Sequence, residues 1–411
     1  MQNSSKIYSP ENRYAWVEID LKNLLYNFKA VKKYISNFNN IVYSKPPKIM
    51  CVVKANAYGH GLVEISEQSL KAGADYLGVA LVHEALKLRN SGITAPILCL
   101  GAHSPEKIDS AVKNNIILSV TSLESAELIS SYCIRENKKA VVHIKIDTGM
   151  NRIGINYINA INDIISISKM PGIIIEGVFT HFACASKKDD SHTLMQWTRF
   201  EKIIDELKKV LPEIKLYHCA NSAAFVRYPY MHLDMVRLGI IVYGITPFNL
   251  DYKDFGKETA SLLVESLKPL LSLKAKISFI KKVPSGENIS YCGTFTTKKD
   301  SIIATIPLGY ADGYSWNFSN KSYVIYNGSI APVAGNVTMD QTMVDLTGAE
   351  GAQNAKVGDE IILIGKSSNK AITATELAAL IETINYEIVC MIGDRIPRIY
   401  INGGKYEGSA D

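Results

Sequence analysis

Along the first 245 or so residues, the chain alternates between two patterns. Short, unbroken apolar runs occupy residues 49–54, 76–82, 97–100, 117–121, 141–147, 173–181, 216–219 and 233–238. Continuous Val/Ile/Leu runs of this length are expected of strands buried on both faces, as in a parallel sheet. Between them, helical spacing is predicted over residues 62–71, 104–113, 122–136 and 193–210. Gly73 supplies a stop for the first of these, and Ser104-Pro105 a start for the second. The last brings Leu194, Trp197, Ile204 and Leu207 close to one face and stops at Pro212. Eight strands with helices between most of them, in about 200 residues, predict an α/β fold of the eight-stranded parallel β/α (TIM-type) barrel kind. Periodicity alone leaves an open doubly wound sheet as the rival.

The pattern changes after residue 247. A polar, mixed connector covers residues 247–268, followed by strand-like runs at 271–283, 301–308, 323–333, 343–346, 360–364 and 398–401. Asn327-Gly328 marks a hairpin turn. One helix is expected at 375–385. The chain therefore reads as a barrel over residues 14–262 and a mostly β C-terminal domain over 263–411, with the strand at 15–19 free to join either.

Composition narrows the class. With 47% apolar and 21% charged residues among 411, the chain buries a full core and is not intrinsically disordered. The formal charge of +5 is spread out, with no Lys/Arg run longer than two, which argues against a nucleic-acid partner. Seven widely spaced cysteines without a Cys-x-x-Cys pair suit a reducing compartment. No apolar stretch is long enough to span a membrane and no secretory signal is legible, so a cytoplasmic protein is expected.

Barrel chemistry sits where strands end. The first strand ends at Lys54, and a lysine there either pairs with an acid or becomes a neutral nucleophile toward carbonyls. The fifth runs into Asp147-Thr148-Gly149-Met150-Asn151-Arg152, where Arg152 is either half of a loop ion pair or a fork for a carboxylate. The sixth ends in His181. The seventh and eighth end in Asn221-Ser222 and Arg237-Leu238-Gly239-Ile240, in the loops where barrels hold phosphate. A lysine with a phosphate cradle suits pyridoxal 5′-phosphate.

Six segments then make a resemblance. They are Val53-Lys54-Ala55-Asn56-Ala57-Tyr58-Gly59-His60-Gly61, the segment Asp147 to Gly154, Thr180-His181-Phe182-Ala183, Cys219-Ala220-Asn221-Ser222-Ala223, Leu308-Gly309-Tyr310-Ala311-Asp312-Gly313-Tyr314 and Val337-Thr338-Met339-Asp340-Gln341. Their content and order resemble the signature segments of the alanine racemases. That family has a β/α barrel followed by a β domain, interconverts L- and D-alanine on a pyridoxal-phosphate aldimine, and supplies D-alanine for peptidoglycan.

The resemblance implies roles. Lys54 would be the Schiff-base lysine and one catalytic base, and Tyr291 the other, reaching the site from the second subunit of a homodimer with shared active sites. Arg237 would face the pyridine nitrogen with His218 behind it, and His181 would lie beside the cofactor. Tyr58, Asn221, Ser222, Gly239, Ile240 and Tyr386 would hold the phosphate. Arg152 and the partner's Met339 would bind the substrate carboxylate, and Tyr310 would stand at the entrance. Lys145 occupies a position that is a carbamylated lysine in some relatives, the alternative being a lysine paired with an acid. Three departures touch pocket shape: Leu238 where proline is usual, Thr338 where cysteine is common, and Asn151 where glycine is common. A serine or broad-specificity racemase of the same fold is the runner-up. A basic-amino-acid decarboxylase lacks support, because its glycine-rich phosphate loop is missing.

Overall fold

A computed structural model describes residues 13–38, 41–42, 45–248 and 258–402. The chain divides into two compact units, one holding residues 24–57 and 61–268, the other residues 1–23, 58–60 and 269–411. Residues 249–257 of the expected connector lie outside the described residues.

In the first unit, the strands Lys48–Val52, Tyr76–Val79, Ile97–Cys99, Ile117–Val120, Ala140–Asp147, Ile173–Phe179 and Leu216–His218 pair in parallel in sequence order. The eighth, Met235–Leu238, pairs in parallel with the first, in the register Val236 to Ile49 and Arg237 to Met50. The last strand lies beside the first and also meets the seventh, so the sheet closes on itself and the barrel reading holds. The remaining seam is bridged by Asp234 N–H to Tyr217 O (3.1 Å) and Arg237 N–H to Ala220 O (2.9 Å). Met50, Tyr76, Leu98, Ile117, Leu216 and Met235, from six of the strands, form one buried layer.

Helices not delimited by the sequence pattern include Val82–Asn90 and Ala160–Ser168, and also Leu21–Ser36 and, inside the expected connector, Glu258–Ser266. The first was absorbed into an overlong strand at 76–82. That strand stops at Val79 because the next two amides, Ala80 N–H and Leu81 N–H, donate to the Glu84 carboxylate (2.8 and 3.0 Å) and open a helix instead.

The second unit carries a seven-stranded sheet. Its path runs Ser329–Pro332, Tyr323–Tyr326, Glu360–Ser367, Leu271–Lys276, Ala15–Asp20, Arg398–Ile401, with Lys370–Ile372 added beside Glu360–Ser367. Ala15–Asp20 thus pairs with Leu271–Lys276 and Arg398–Ile401. The hairpin turns at Asn327 and Gly328, both at positive φ. A three-stranded sheet joins Phe279–Val283, Ser301–Ile306 and Thr342–Asp345.

Two expectations need correction here. The run at 271–283 is two strands in different sheets. Between them Ile277 N–H donates to Asp359 O and Ser278 N–H to Thr305 O, so the backbone changes partners mid-run. The helix at 375–385 is likewise two, Ala374–Leu380 and Asn385–Cys390. Glu382 takes φ 57° and Thr383 N–H turns back to Ala378 O, which ends the first.

The buried layer sets a testable cost. Met50→Ala should lower the unfolding free energy by about 2–5 kcal/mol, read as a lower denaturation midpoint. An unchanged midpoint would place Met50 outside the packed interior.

Candidate active site

Lys54 follows the first barrel strand and opens the short segment Lys54–Tyr58. Ala55, Asn56 and Ala57 all sit at φ 53°, and Tyr58 at φ 54°. A left-handed turn costs roughly 1–2 kcal/mol per residue for side chains with a Cβ, so something must hold it. Ala55 N–H donates to Glu84 Oε1 (2.7 Å), while Glu84 Oε2 takes the Ala80 and Leu81 amides. Asn56 accepts at both ends, from Leu62 N–H on its side chain and Gly61 N–H on its carbonyl (both 2.9 Å). Glu84 is buried and was not singled out in the sequence. Its only local signal is a glutamate in the first turn of a helix.

The fifth strand feeds a loop held by Asp147, whose Oδ1 accepts from Gly149 N–H (2.9 Å) and Asn151 N–H (3.0 Å). Asn151 sits at φ 54°. That explains the departure there: asparagine is among the few residues that share this region with glycine. Arg152 follows, exposed. Leu238, another departure, is fully buried opposite Cys51.

Arg237 is buried at the end of the eighth strand. Its Nη2 donates to Thr180 O (2.7 Å), Cys219 O (3.0 Å) and His181 Nδ1 (3.2 Å), and its Nη1 to His218 Nδ1 (2.8 Å). Burial lowers its pKa to about 10, so it stays charged at neutral pH. Burial, and then Arg237, hold His181 and His218 well below the ordinary histidine value, so both imidazoles are neutral.

Lys145 lies inside the same group. Its amine is pushed down to about 7, first by burial, then by Arg152, Arg237 and Lys54, with Asp147 opposing. Lys145 has no ion pair among the described residues, so the acid-paired alternative finds no partner. Lys54, Arg152 and Arg237 therefore each lie within electrostatic reach of Lys145, and all four within reach of His181. Such an excess of cations calls for an anion.

The last two loops are tied together by Gly239 N–H donating to Ser222 Oγ (3.1 Å). Asn221 caps the helix Ser222–Arg227 by accepting from Ala224 N–H (3.0 Å), and Ile240 is fully buried beside Gly239.

Tyr58, Tyr291, Tyr310, Met339 and Tyr386 belong to the second unit. Tyr58 and Tyr386 are ring neighbours at 6.1 Å. Gly59 between strand end and helix is obligatory, since a Cβ there would lie 2.2 Å from Val389 O. Tyr291 lies between Ser290 and Cys292, at φ 67° and 60°, and its carbonyl accepts from Asn336 Nδ2 (3.0 Å). Thr338 closes a turn onto Gln341, and the turn's Thr338 and Met339 carbonyls accept from Tyr310 and Ala311 N–H (3.1 and 3.0 Å). Threonine does this through its hydroxyl, at the third departure. Tyr291 (71%), Tyr310 (44%) and Met339 (54%) are exposed.

With this geometry in hand, the likeness to known proteins is decisive. One family model, described as the N-terminal domain of alanine racemase, matches residues 19–247, and another, described as its C-terminal domain, matches residues 270–400. The chain belongs to the alanine racemase family. It is 41% identical to alanine racemase 1 of Clostridium acetobutylicum over 394 residues, 96% of this chain and 97% of that one. It is 42% identical to the alanine racemase of Clostridium tetani, again over 96% of this chain and 97% of that one. The solved alanine racemase of Clostridium difficile 630 superposes with a TM-score of 0.84 at 38% identity, covering 94% of this chain and 96% of that one. The alanine racemase of Bacillus anthracis, solved with bound L-Ala-P, gives 0.84 at 38% identity and 96% coverage of both chains. This chain is an amino-acid racemase, an isomerase. No helix among its described residues is long and apolar enough to cross a membrane.

Two outcomes follow for the racemase. Glu84→Ala leaves three part-buried amides without their charged acceptor, so stability should fall by about 1–3 kcal/mol, and limited proteolysis should open the Lys54–Tyr58 turn first. A protected turn would show that Glu84 does not hold it. Lys145 titrates near 10.5 when unfolded and at about 7 when folded. The unfolded chain therefore holds more protons between those values, and stability rises with pH through that window. In carbon-dioxide-free buffer, Lys145→Met should raise Tm most at neutral pH, by an amount that shrinks toward pH 10.5. A pH-independent difference would contradict the lowered amine.

Proposed function

We propose that this racemase interconverts L- and D-alanine with pyridoxal 5′-phosphate, as a homodimer with shared active sites, and so supplies D-alanine for peptidoglycan. The observation that carries the cofactor reading is the gathering of Lys54, Lys145, Arg152 and Arg237 around neutral His181. That donor set fits a group with a phosphate at one end and an aromatic ring nitrogen at the other. The bound L-Ala-P of the Bacillus anthracis relative supports an alanine-sized ligand.

When bound, pyridoxal phosphate supplies the electron sink that acidifies the substrate α-proton. The chain does the rest. Ser222, Gly239, Ile240 and Asn221, with Tyr58 and Tyr386, hold the phosphate. Arg237 would present to the ring nitrogen an N–H that it does not surrender, so it would supply no proton there and would keep the electron sink modest. Arg152, with Met339 of the partner subunit, holds the substrate carboxylate, and Tyr310 lines the entrance.

Racemisation requires a proton to leave one face of the α-carbon and arrive on the other. A single base would serve both faces only if the bound substrate turned over in the site. Lys54 on one face and Tyr291 of the partner subunit on the other remove that need. The exposure of Tyr291, Tyr310 and Met339 is consistent with surfaces that a second subunit covers. The serine-specific alternative has no observation in its favour.

Chiral analysis of incubated L-alanine, with L-serine in parallel, tests the reaction. Racemisation of serine but not alanine would overturn the substrate assignment. Subunit mixing tests the shared site. Inactive Lys54→Ala and Tyr291→Ala chains, exchanged together, should recover activity up to roughly a quarter of wild type, since half the dimers carry one intact site. A mixture that stays inactive after proven exchange would mean Tyr291 acts within its own chain.

A further inference from the structure

Behind Arg237 a chain of hydrogen bonds continues where the proposed chemistry has no use for it. His218 Nε2 is 2.8 Å from His143 Nδ1, and His143 Nε2 is 3.0 Å from Glu176 Oε2. Both imidazoles are fully buried, and the Phe179 ring stacks on His218 at 4.9 Å. Tyr76 lies near the Glu176 carboxylate, and burial, then that carboxylate, raise the phenol's pKa.

Only one arrangement of protons satisfies this chain. A guanidinium can only donate, so His218 Nδ1 must be bare. His218 is then protonated at Nε2 and donates to His143 Nδ1. His143 in turn carries its proton on Nε2 and donates to Glu176. The opposite polarity would point an Nδ1–H of His218 at an N–H of Arg237. A carboxylate end also forbids it, because an ionised Glu176 can only accept. The two ends therefore fix both tautomers.

The fold is arranged to build this. Val142 pairs with Ile175 but His143 pairs with Gly177, so Glu176 is the extra residue of a β-bulge. Bulges re-aim side chains, commonly next to active sites. A Cβ on Gly177 would lie 2.8 Å from the His143 ring, so the glycine makes room for the imidazole.

We propose that His143 and Glu176 are positioning residues, which through His218 hold Arg237 in one orientation and present its remaining N–H groups to the active site. The inference rests on the reading of Arg237 as the group beside the cofactor ring. Among the described residues, Nε–H and the second Nη1–H of Arg237 have no protein partner, and these are the donors that the relay leaves for a ligand. The carboxylate at the far end also offsets part of the buried positive charge, drawing electron density along the imidazoles toward the nitrogen that accepts from Arg237.

The test compares Glu176→Gln, which keeps an acceptor, with Glu176→Leu, which does not. In the holoenzyme, nitrogen NMR of labelled histidines should find His143 and His218 protonated at Nε2 alone. The Gln variant should keep that pattern and lose less than about twofold in kcat, while Leu should release Arg237 from His218 Nδ1, so that both imidazoles sample the second tautomer, and lose roughly tenfold in kcat with KM for alanine unchanged. A proton on His218 Nδ1 in the wild type would overturn the relay whether or not the protein racemises alanine. Equal losses in both variants, or tautomers scrambled without loss of kcat, would overturn the positioning role and leave the racemase reading standing. If Glu176→Leu does not fold, His143→Gln with the same NMR readout on His218 decides: retention of a single His218 tautomer and of kcat would count against the proposal.

Discussion

A guanidinium buried at the mouth of a barrel cannot shed its charge and cannot be left without acceptors. Much of the barrel's active end follows from that constraint. Arg237 draws carbonyls from Thr180 and Cys219 and imidazole nitrogens from His181 and His218, which ties the ends of the sixth, seventh and eighth strands together. Its backbone N–H to Ala220 O also closes the barrel seam. One residue thus serves closure and chemistry together. Burial first, and then its charge, keep the neighbouring histidines neutral, and burial, Arg152 and Arg237 in that order lower the Lys145 amine.

The opposite problem arises at Lys54. There the charge sits on a turn of the wrong hand, and the stabilising charge is negative. Glu84 spends both carboxylate oxygens on backbone amides, so it ends one strand, starts a helix and holds the lysine's turn with a single side chain. Strain beside Lys54 and beside Tyr291 fits the general finding that backbone outliers cluster at functional positions, where surrounding structure over-determines them. In the β unit, the Thr338–Gln341 turn and the Tyr310 turn brace one another through backbone bonds, so Tyr310 and Met339 are held although their side chains face outward.

Much of this was legible in the residues. Eight apolar runs appeared as eight barrel strands because a strand buried on both faces has no polar positions to blur it. The hairpin at Asn327-Gly328 was legible because its turn requires positive φ at both residues. Strand-end position alone marks Lys54, His181, Asn221 and Arg237 as candidates. Two departures in the β unit share one cause. The run at 271–283 and the helix at 375–385 each have a continuous pattern interrupted by a change of hydrogen-bond partner, which hydropathy does not record.

Glu84, His143 and Glu176 were silent for a related reason. Each is an ordinary polar residue whose meaning depends on what faces it. Glu84 looks like any first-turn glutamate, and Glu176 like a solvated position on a strand. Only the tertiary structure turns Glu176 inward through a one-residue bulge and sets His143 between it and His218. The chain's own pattern determined the order of elements, the barrel and the residues at its strand ends, because periodicity and strand-end position are local properties. Which proton sits on which nitrogen, and which cation loses its charge, was decided by groups far apart in the sequence, such as His143 and His218, 75 residues apart, because charge and hydrogen-bond polarity are set by neighbours in space.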